Sequence, residues 1–216
     1  MSRTAKQLIA LIASALVLIL AWWGSYAPMR KSETFIATLQ SFQATPASSL
    51  QDLETRLAAP LDYPSPIGQE ELVRNVANNI LGFVQQSTDA TTTGALIGFL
   101  RSYYDPILTQ GRGMSFGQDV YLMGAIEETA FTRTRDPQYL VAAGQFYEEA
   151  LALGPNRPQA LYGLFDVYRF EDNVASTTAI AQKILSQWPT DTNTQQAFQQ
   201  FLTQQSKTPQ IKVQVK

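Results

Sequence analysis

Pro155 and Pro189 stand 34 residues apart, and the residues around them keep a common register. The stretch from Asp136 to Pro189 reads as three short helices. The first carries Ala143, Tyr147 and Ala150 on one stripe and stops before Gly154-Pro155. The second carries Leu161, Leu164, Phe165 and Tyr168, and the third ends at Pro189. Helix pairs this short cannot bury an apolar stripe alone, so neighbouring pairs must stack and share a core. Ala143 and Ala150 let two helices approach closely, while Tyr147 and Tyr168 fill the gaps between layers. Asp136-Pro137 and Arg157-Pro158 each place a proline at the first helical position, where its missing N–H costs nothing. Asp136 is also a good N-cap. An ordinary helical hairpin with a coincidental proline spacing is the plainer alternative. The small and aromatic residues that stay in register with the prolines favour a repeat.

A 34-residue period is that of the tetratricopeptide repeat, with W-x2-L-G-x2-Y on one helix and A-x3-F-x2-A-x4-P on its partner. Ala143, Tyr147, Ala150 and Pro155 fit the second half of one unit. Leu161, Leu164, Phe165 and Tyr168 fit the first half of the next, with Leu161 in place of Trp and Phe165 in place of Gly. The fold class expected is therefore all-α. It consists of a single N-terminal transmembrane helix followed by an α-solenoid of tetratricopeptide-like helical hairpins.

The chain of 216 residues has room for one ordinary domain plus an anchor. It contains neither cysteine nor histidine, which removes disulfides, thiol nucleophiles, Ser-His-Asp triads and histidine metal sites. The net charge of −2 hides an asymmetry: residues 32–206 hold nine Lys and Arg against eighteen Asp and Glu, a net −9. Phosphate binding needs a basic face, so an acidic body argues against nucleic acid.

Leu8 to Trp23 is apolar apart from Ser14, and Gln7 to Tyr26 makes a helix of roughly 30 Å, one hydrocarbon thickness. Nine Leu, Ile and Val residues favour insertion by about 3 to 5 kcal/mol with no charge to oppose them. Arg3 and Lys6 precede the span, and Arg30, Lys31 and Glu33 follow it. The slight positive bias points the N-terminus into the cytoplasm and the body to the periplasm or exterior. Trp22, Trp23 and Tyr26 then sit at the outer interface. A cleaved signal peptide competes, since Ser25-Tyr26-Ala27 resembles a cleavage site. Pro28 just after the cut and the long apolar run favour a retained anchor.

Residues 1–27 are read as cytoplasmic stub and anchor, 28–115 as a helical membrane-proximal region. Pro28 restarts a helix with Phe35, Ile36, Leu39 and Phe42 on one face. A second helix carries Leu50, Leu53 and Leu57, is entered through Ser48 or Ser49, and is closed by Ala59-Pro60. Ser65-Pro66 opens a third, with Leu72, Val76, Ile80 and Phe83 inward. The polar run Gln85 to Thr93 reads as an exposed loop. A helix with Leu96, Phe99, Leu100 and Tyr103 follows, disturbed by Pro106, and Gly111-Arg112-Gly113 is a turn. Residues 116–206 hold the repeats. Gln118 to Thr132 completes the pair of the Asp136 helix, and a final helix with Ala197, Phe198, Phe201 and Leu202 has a Gln- and Thr-rich outer face suited to capping a solenoid. Residues 207–216 are expected to be a disordered tail.

With its aromatic-ended span, the region TLQSFQATPASSLQDLETRLAAPLDYPSPIGQEELVRNVANNI, then GQDVYLMGAIEETA and LALGPNRPQALYGLFDVY, the layout resembles the extracytoplasmic repeat tail of bacterial O-antigen ligase and polymerase family proteins. Those enzymes carry many spans, with their chemistry in the loops between them. Here there is one span and no such loop, so no family catalytic residue has a counterpart. The resemblance implies a stand-alone or split-off tail, an assembly or adaptor module in envelope polysaccharide or cell-surface biogenesis.

An enzyme would have to rest on carboxylates. Glu70/Glu71, Glu127/Glu128 and Glu148/Glu149 are adjacent pairs that point about 100° apart on a helix, so they cannot flank one scissile bond. They read as solvated helix faces. A wall-glycan-cleaving enzyme with Glu127 as single acid lacks a supporting motif. No catalytic residue, cofactor or metal ligand is assigned. The first helix of each stacked pair lines a concave surface, and on the Pro158 helix Gln159, Tyr162, Asp166 and Arg169 form one stripe opposite the core. Tyr162 offers an aromatic platform, and Asp166 and Arg169 offer charges, unless these two simply pair with each other. The function expected is a membrane-anchored scaffold that binds a protein or peptide of the cell envelope through this groove. The alternative is a homo-oligomerising envelope protein.

Overall fold

The computed structural model describes residues 2–113 and 115–207, and every regular element among them is helical. The expected tail lies, from residue 208 onward, outside the described residues. The chain up to Phe83 together with Thr91–Gln110 forms one compact unit, and Val84–Ala90 with the chain from Gly111 forms a second.

In the first unit, α1 (Arg3–Ala21), a π-helical turn (Trp22–Tyr26) and α2 (Ala27–Ala44) make one continuous helix of 42 residues. Its N-terminal part is long and apolar enough to cross a membrane, and α1 buries none of its side chains within the protein. Pro28 does not restart the helix as expected from the sequence; it lies inside it. The π turn explains how. Ala27 N–H bonds to Trp22 O, five residues back, and the wider ring leaves room for the Pro28 ring, which would clash in a regular turn.

Helix α3 (Leu50–Leu61) is capped by Ser49, whose side chain accepts from Asp52 N. It runs back along α2. Thr38 Oγ1 donates to Arg56 O at 3.4 Å, and Arg56 Nη1 donates to Thr45 O at 2.9 Å. Pro60 does not close α3 but sits in its last turn. At that end the buried Lys31 ammonium donates to Tyr63 O at 2.9 Å, to Leu61 O at 3.4 Å and to Gln69 Oε1. Helix α4 (Gln69–Gln86) starts after Gly68, whose φ of 85° suits only glycine. It buries Leu72, Val73, Val76, Ala77 and Ile80, while Phe83, expected inward, is 37% exposed. Helix α5 (Ala90–Gln110) runs through Pro106, and its Tyr103 hydroxyl donates to Asp62 Oδ1 at 2.9 Å. The Gln85–Thr93 loop shrinks to Ser87–Asp89. Polar composition does not bar a helix, and Thr93 is fully buried.

The second unit holds α6 (Phe116–Thr134), α7 (Pro137–Leu153), α8 (Pro158–Phe170), α9 (Val174–Gln187) and α10 (Thr192–Lys207). Each packs on the next in the chain, and α6 also reaches α8. Asp136 caps α7, accepting from Gln138 N at 3.0 Å, and Pro137 and Pro158 open their helices. Leu140, Ala143, Tyr147, Leu164 and Val167 pack as one core cluster, and Leu161, Phe165, Ala181 and Ile184 as another. Burying a side chain such as Leu161 or Leu164 is worth about 1.5 to 3 kcal/mol. The Tyr147 ring lies between two glycines: a Cβ on Gly124 would stand 2.8 Å from it, and one on Gly163 2.4 Å.

Candidate partner-binding groove

Helix α8 buries Ala160, Leu161, Leu164, Phe165 and Val167, and the stripe expected to face a partner is only partly turned from that core, since Tyr162 packs against the cluster of Leu161, Phe165, Ala181 and Ile184. On this stripe Gln159 is exposed, whereas Tyr162, Asp166 and Arg169 are half-buried. The last three share a cavity of about 300 Å³ with Asp191, Asn193 and Thr194 at the start of α10. Gln159 lies instead in a cavity of about 320 Å³ with Gln118 and Tyr121 of α6 and Arg157. Three of the four expected residues are thus brought together, and the fourth belongs to a neighbouring pocket.

Tyr162 is less available than the sequence suggests. Its hydroxyl donates to Asp191 Oδ2 at 2.8 Å, and its ring stacks on Trp188 at 6.0 Å. Burial and the Asp191 bond push the phenol up. Asp191 also accepts from Thr194 Oγ1 at 2.6 Å and Thr194 N at 3.1 Å. These Thr194 bonds hold its carboxyl below the usual range. Arg169 Nη1 donates to Asp166 Oδ1 at 2.8 Å, so these two residues do pair. The guanidinium carbon stands 5.2 Å from the Phe165 ring centre, and Arg169 Nε is buried without a hydrogen bond. Burial raises the Asp166 carboxyl against the opposing pull of Arg169.

The glutamate pair on α6 is not the solvated face that adjacency implied. Glu127 is 2% exposed and Glu128 is half-buried, whereas Glu148 and Glu149 are exposed. Tyr147 Oη donates to Glu128 Oε2 at 2.6 Å. Burial, with a smaller push from Asp166, raises the Glu128 carboxyl to about 7. The signal was present in the spacing, since Glu127 falls seven residues after Val120, on the buried stripe. Arg157 was also missed. Its guanidinium lies against the backbone at Gly117 and Gly154, where an added Cβ would meet it at 2.4 and 2.5 Å. Among the described residues no cluster of three or more His, Cys, Asp or Glu is placed to hold a metal ion.

Among the described residues the regular structure is all helical, with one N-terminal helix long and apolar enough to cross a membrane and two cavities of mixed lining along α8. No family model matches the sequence, and comparison with curated proteins and with solved structures gives no match either.

Proposed function

We propose that the protein is a membrane-anchored interaction module. In this reading α1 is a retained span with a cytoplasmic N-terminus, and α6–α10 are a short tetratricopeptide-type solenoid. The face shared by α6, α8 and α10 holds an extended segment of an envelope protein, in the setting of surface-polysaccharide or cell-envelope assembly. The observation that carries the reading is the pair of cavities of mixed lining along α8, one holding Gln159 and the other Tyr162, Asp166 and Arg169. Gln159, Asp166 and Arg169 lie off the stripe that α8 buries, while Tyr162 also packs against the core. Aromatic and Arg side chains in such positions tend to dominate binding energy.

The test is site-specific photocrosslinking in the intact membrane protein. A crosslinker at Gln159 or Asn193 should trap one and the same partner, and a crosslinker at the exposed Gln145 of α7 should not. Equal adducts from all three positions, or none from the first two, would remove the groove from consideration. Adducts between two copies of the chain would instead favour the homo-oligomeric alternative.

A further inference from the structure

The connection between α3 and α4 is fastened beside the point where the apolar helix emerges. Lys31, which ties Tyr63 O, Leu61 O and Gln69 to α2, is five residues past Tyr26, about 8 Å along the axis. Ile67, at the tip of the connection, is 60% exposed, and Met29 on α2 is 49% exposed. Ile67 also borders a cavity of about 400 Å³, mostly apolar, whose walls include Pro28, Phe35, Ile36 and Leu72. Ile36 on the same cavity is 53% exposed as well, so the two isoleucines form an apolar face that nothing in the described unit covers.

Its level along the stalk identifies what does. With Gln7–Tyr26 filling the hydrocarbon, the headgroup layer reaches about 5 to 8 Å beyond Tyr26. Pro28 to Lys31 fall within that layer, and the Tyr63–Gly68 connection is held against them. Tyrosine is a residue type that favours this zone, and an isoleucine reaching the acyl boundary gains apolar burial there.

We propose that the Asp62–Gly68 connection is a second membrane contact, with Tyr63 and Ile67 resting in the headgroup layer of the bilayer that α1 crosses. The occupant of the apolar notch is lipid. The contact fixes the unit's rotation about the stalk, which a single helical span leaves free. It rests on reading α1 as a span, and the experiment separates the two.

The native chain has no cysteine, so single-cysteine variants of the full-length protein can each carry one environment-sensitive fluorophore. Leu16→Cys, Ile67→Cys and Gln43→Cys are reconstituted in phosphatidylethanolamine–phosphatidylglycerol vesicles containing lipids with a nitroxide on the headgroup or near the acyl terminus. Leu16 should be quenched by the acyl-terminus probe. Ile67 should be quenched by the headgroup probe about twofold or more above Gln43, which is about 25 Å beyond Tyr26 on the same helix. If Leu16 is quenched while Ile67 behaves like Gln43, the loop contact is wrong and the span stands. If Leu16 is not quenched, the span reading fails and takes the loop contact with it. A blue-shifted Ile67 label without lipid quenching would mean that protein, such as a second copy, covers the notch, and that too overturns the proposal.

Discussion

Tyr147 Oη donates to Glu128 Oε2 at 2.6 Å, joining the ring at the centre of the α6–α8 core to the carboxylate at its edge. The bond favours the charged carboxylate, yet burial outweighs it and the Glu128 carboxyl rises to about 7 from an ordinary 4.5. Burial and the neighbouring carboxylate push the Tyr147 phenol upward as well.

This pair makes stability depend on pH in a defined direction. Below 4.5 Glu128 is protonated in both folded and unfolded chains and contributes no difference. Between 4.5 and about 7 the folded protein keeps a proton that the unfolded chain has released, so stability falls as pH rises. Above about 7 the loss is complete, amounting to a few kcal/mol at most. Glu128→Gln should therefore melt above the wild type at about pH 8 and lose that advantage near pH 4.5. An equal difference in Tm at both pH values would mean the carboxyl is not buried as described.

The two glycines flanking Tyr147 give a second prediction. Gly163→Ala places a methyl 2.4 Å from Tyr147 Cε2, where no real contact survives, and the ring cannot retreat because Gly124 packs on its other edge. Overpacking of this kind costs about 1 to 3 kcal/mol, enough to outweigh the gain in helix propensity. Gly98, with nothing within 4 Å of an added Cβ, supplies the contrast. Gly98→Ala should stabilise by about 0.5 to 1 kcal/mol. Denaturant melts that rank the two substitutions the other way would exclude this packing.

Lys31 carries the third. Lys31→Met keeps the apolar stem but strips Tyr63 O, Leu61 O and Gln69 of their shared donor. Leaving buried acceptors unpaired costs about 1 to 3 kcal/mol, partly offset because burial already disfavours the ammonium. The expected signature is local. Amide exchange should quicken at Tyr63 to Gln69 while α6–α10 stay protected, and unchanged exchange there would show that Lys31 does not hold the connection.

Much of this was legible in the sequence because it depends on local chemistry. Asp136, Pro137, Gly154 and Pro158 set helix ends through capping and missing donors, and the α7 and α8 boundaries follow them. The buried stripe of Leu161 and Leu164 follows from periodicity alone. What was not legible arises where distant segments meet. Nothing local says that Tyr162 Oη meets Asp191, 29 residues on, or that Gly124 and Gly163 bracket one ring. The two prolines, Pro28 and Pro106, misled for the opposite reason. A local rule marks a break, but a π turn absorbs one, and the other lies in the last turns of a helix held elsewhere by Leu96, Leu100 and Tyr104. Gln85–Thr93 misled in the same way, through composition.

The anchor has its own test. A retained span keeps the full-length protein in the membrane pellet after alkaline carbonate washing, with its N-terminus ahead of Leu8. Soluble material beginning at Pro28 would establish cleavage instead.

The fifth prediction concerns the groove floor. Tyr162 Oη and Asp191 Oδ2, 2.8 Å apart, link α8 to the residue that caps α10 through Thr194 N. Tyr162→Phe removes one hydrogen bond and keeps the stack on Trp188, so it should cost about 0.5 to 1.5 kcal/mol. Asp191→Ala removes that bond and the cap together and should cost about 1 to 3 kcal/mol. Residues in contact do not behave additively, so the double variant should fall short of the sum by roughly the Tyr162 term. Strict additivity in urea melts would mean that Tyr162 Oη is free in solution. In that case the hydroxyl, rather than the ring face alone, would be available to a partner lying across α8 and α10.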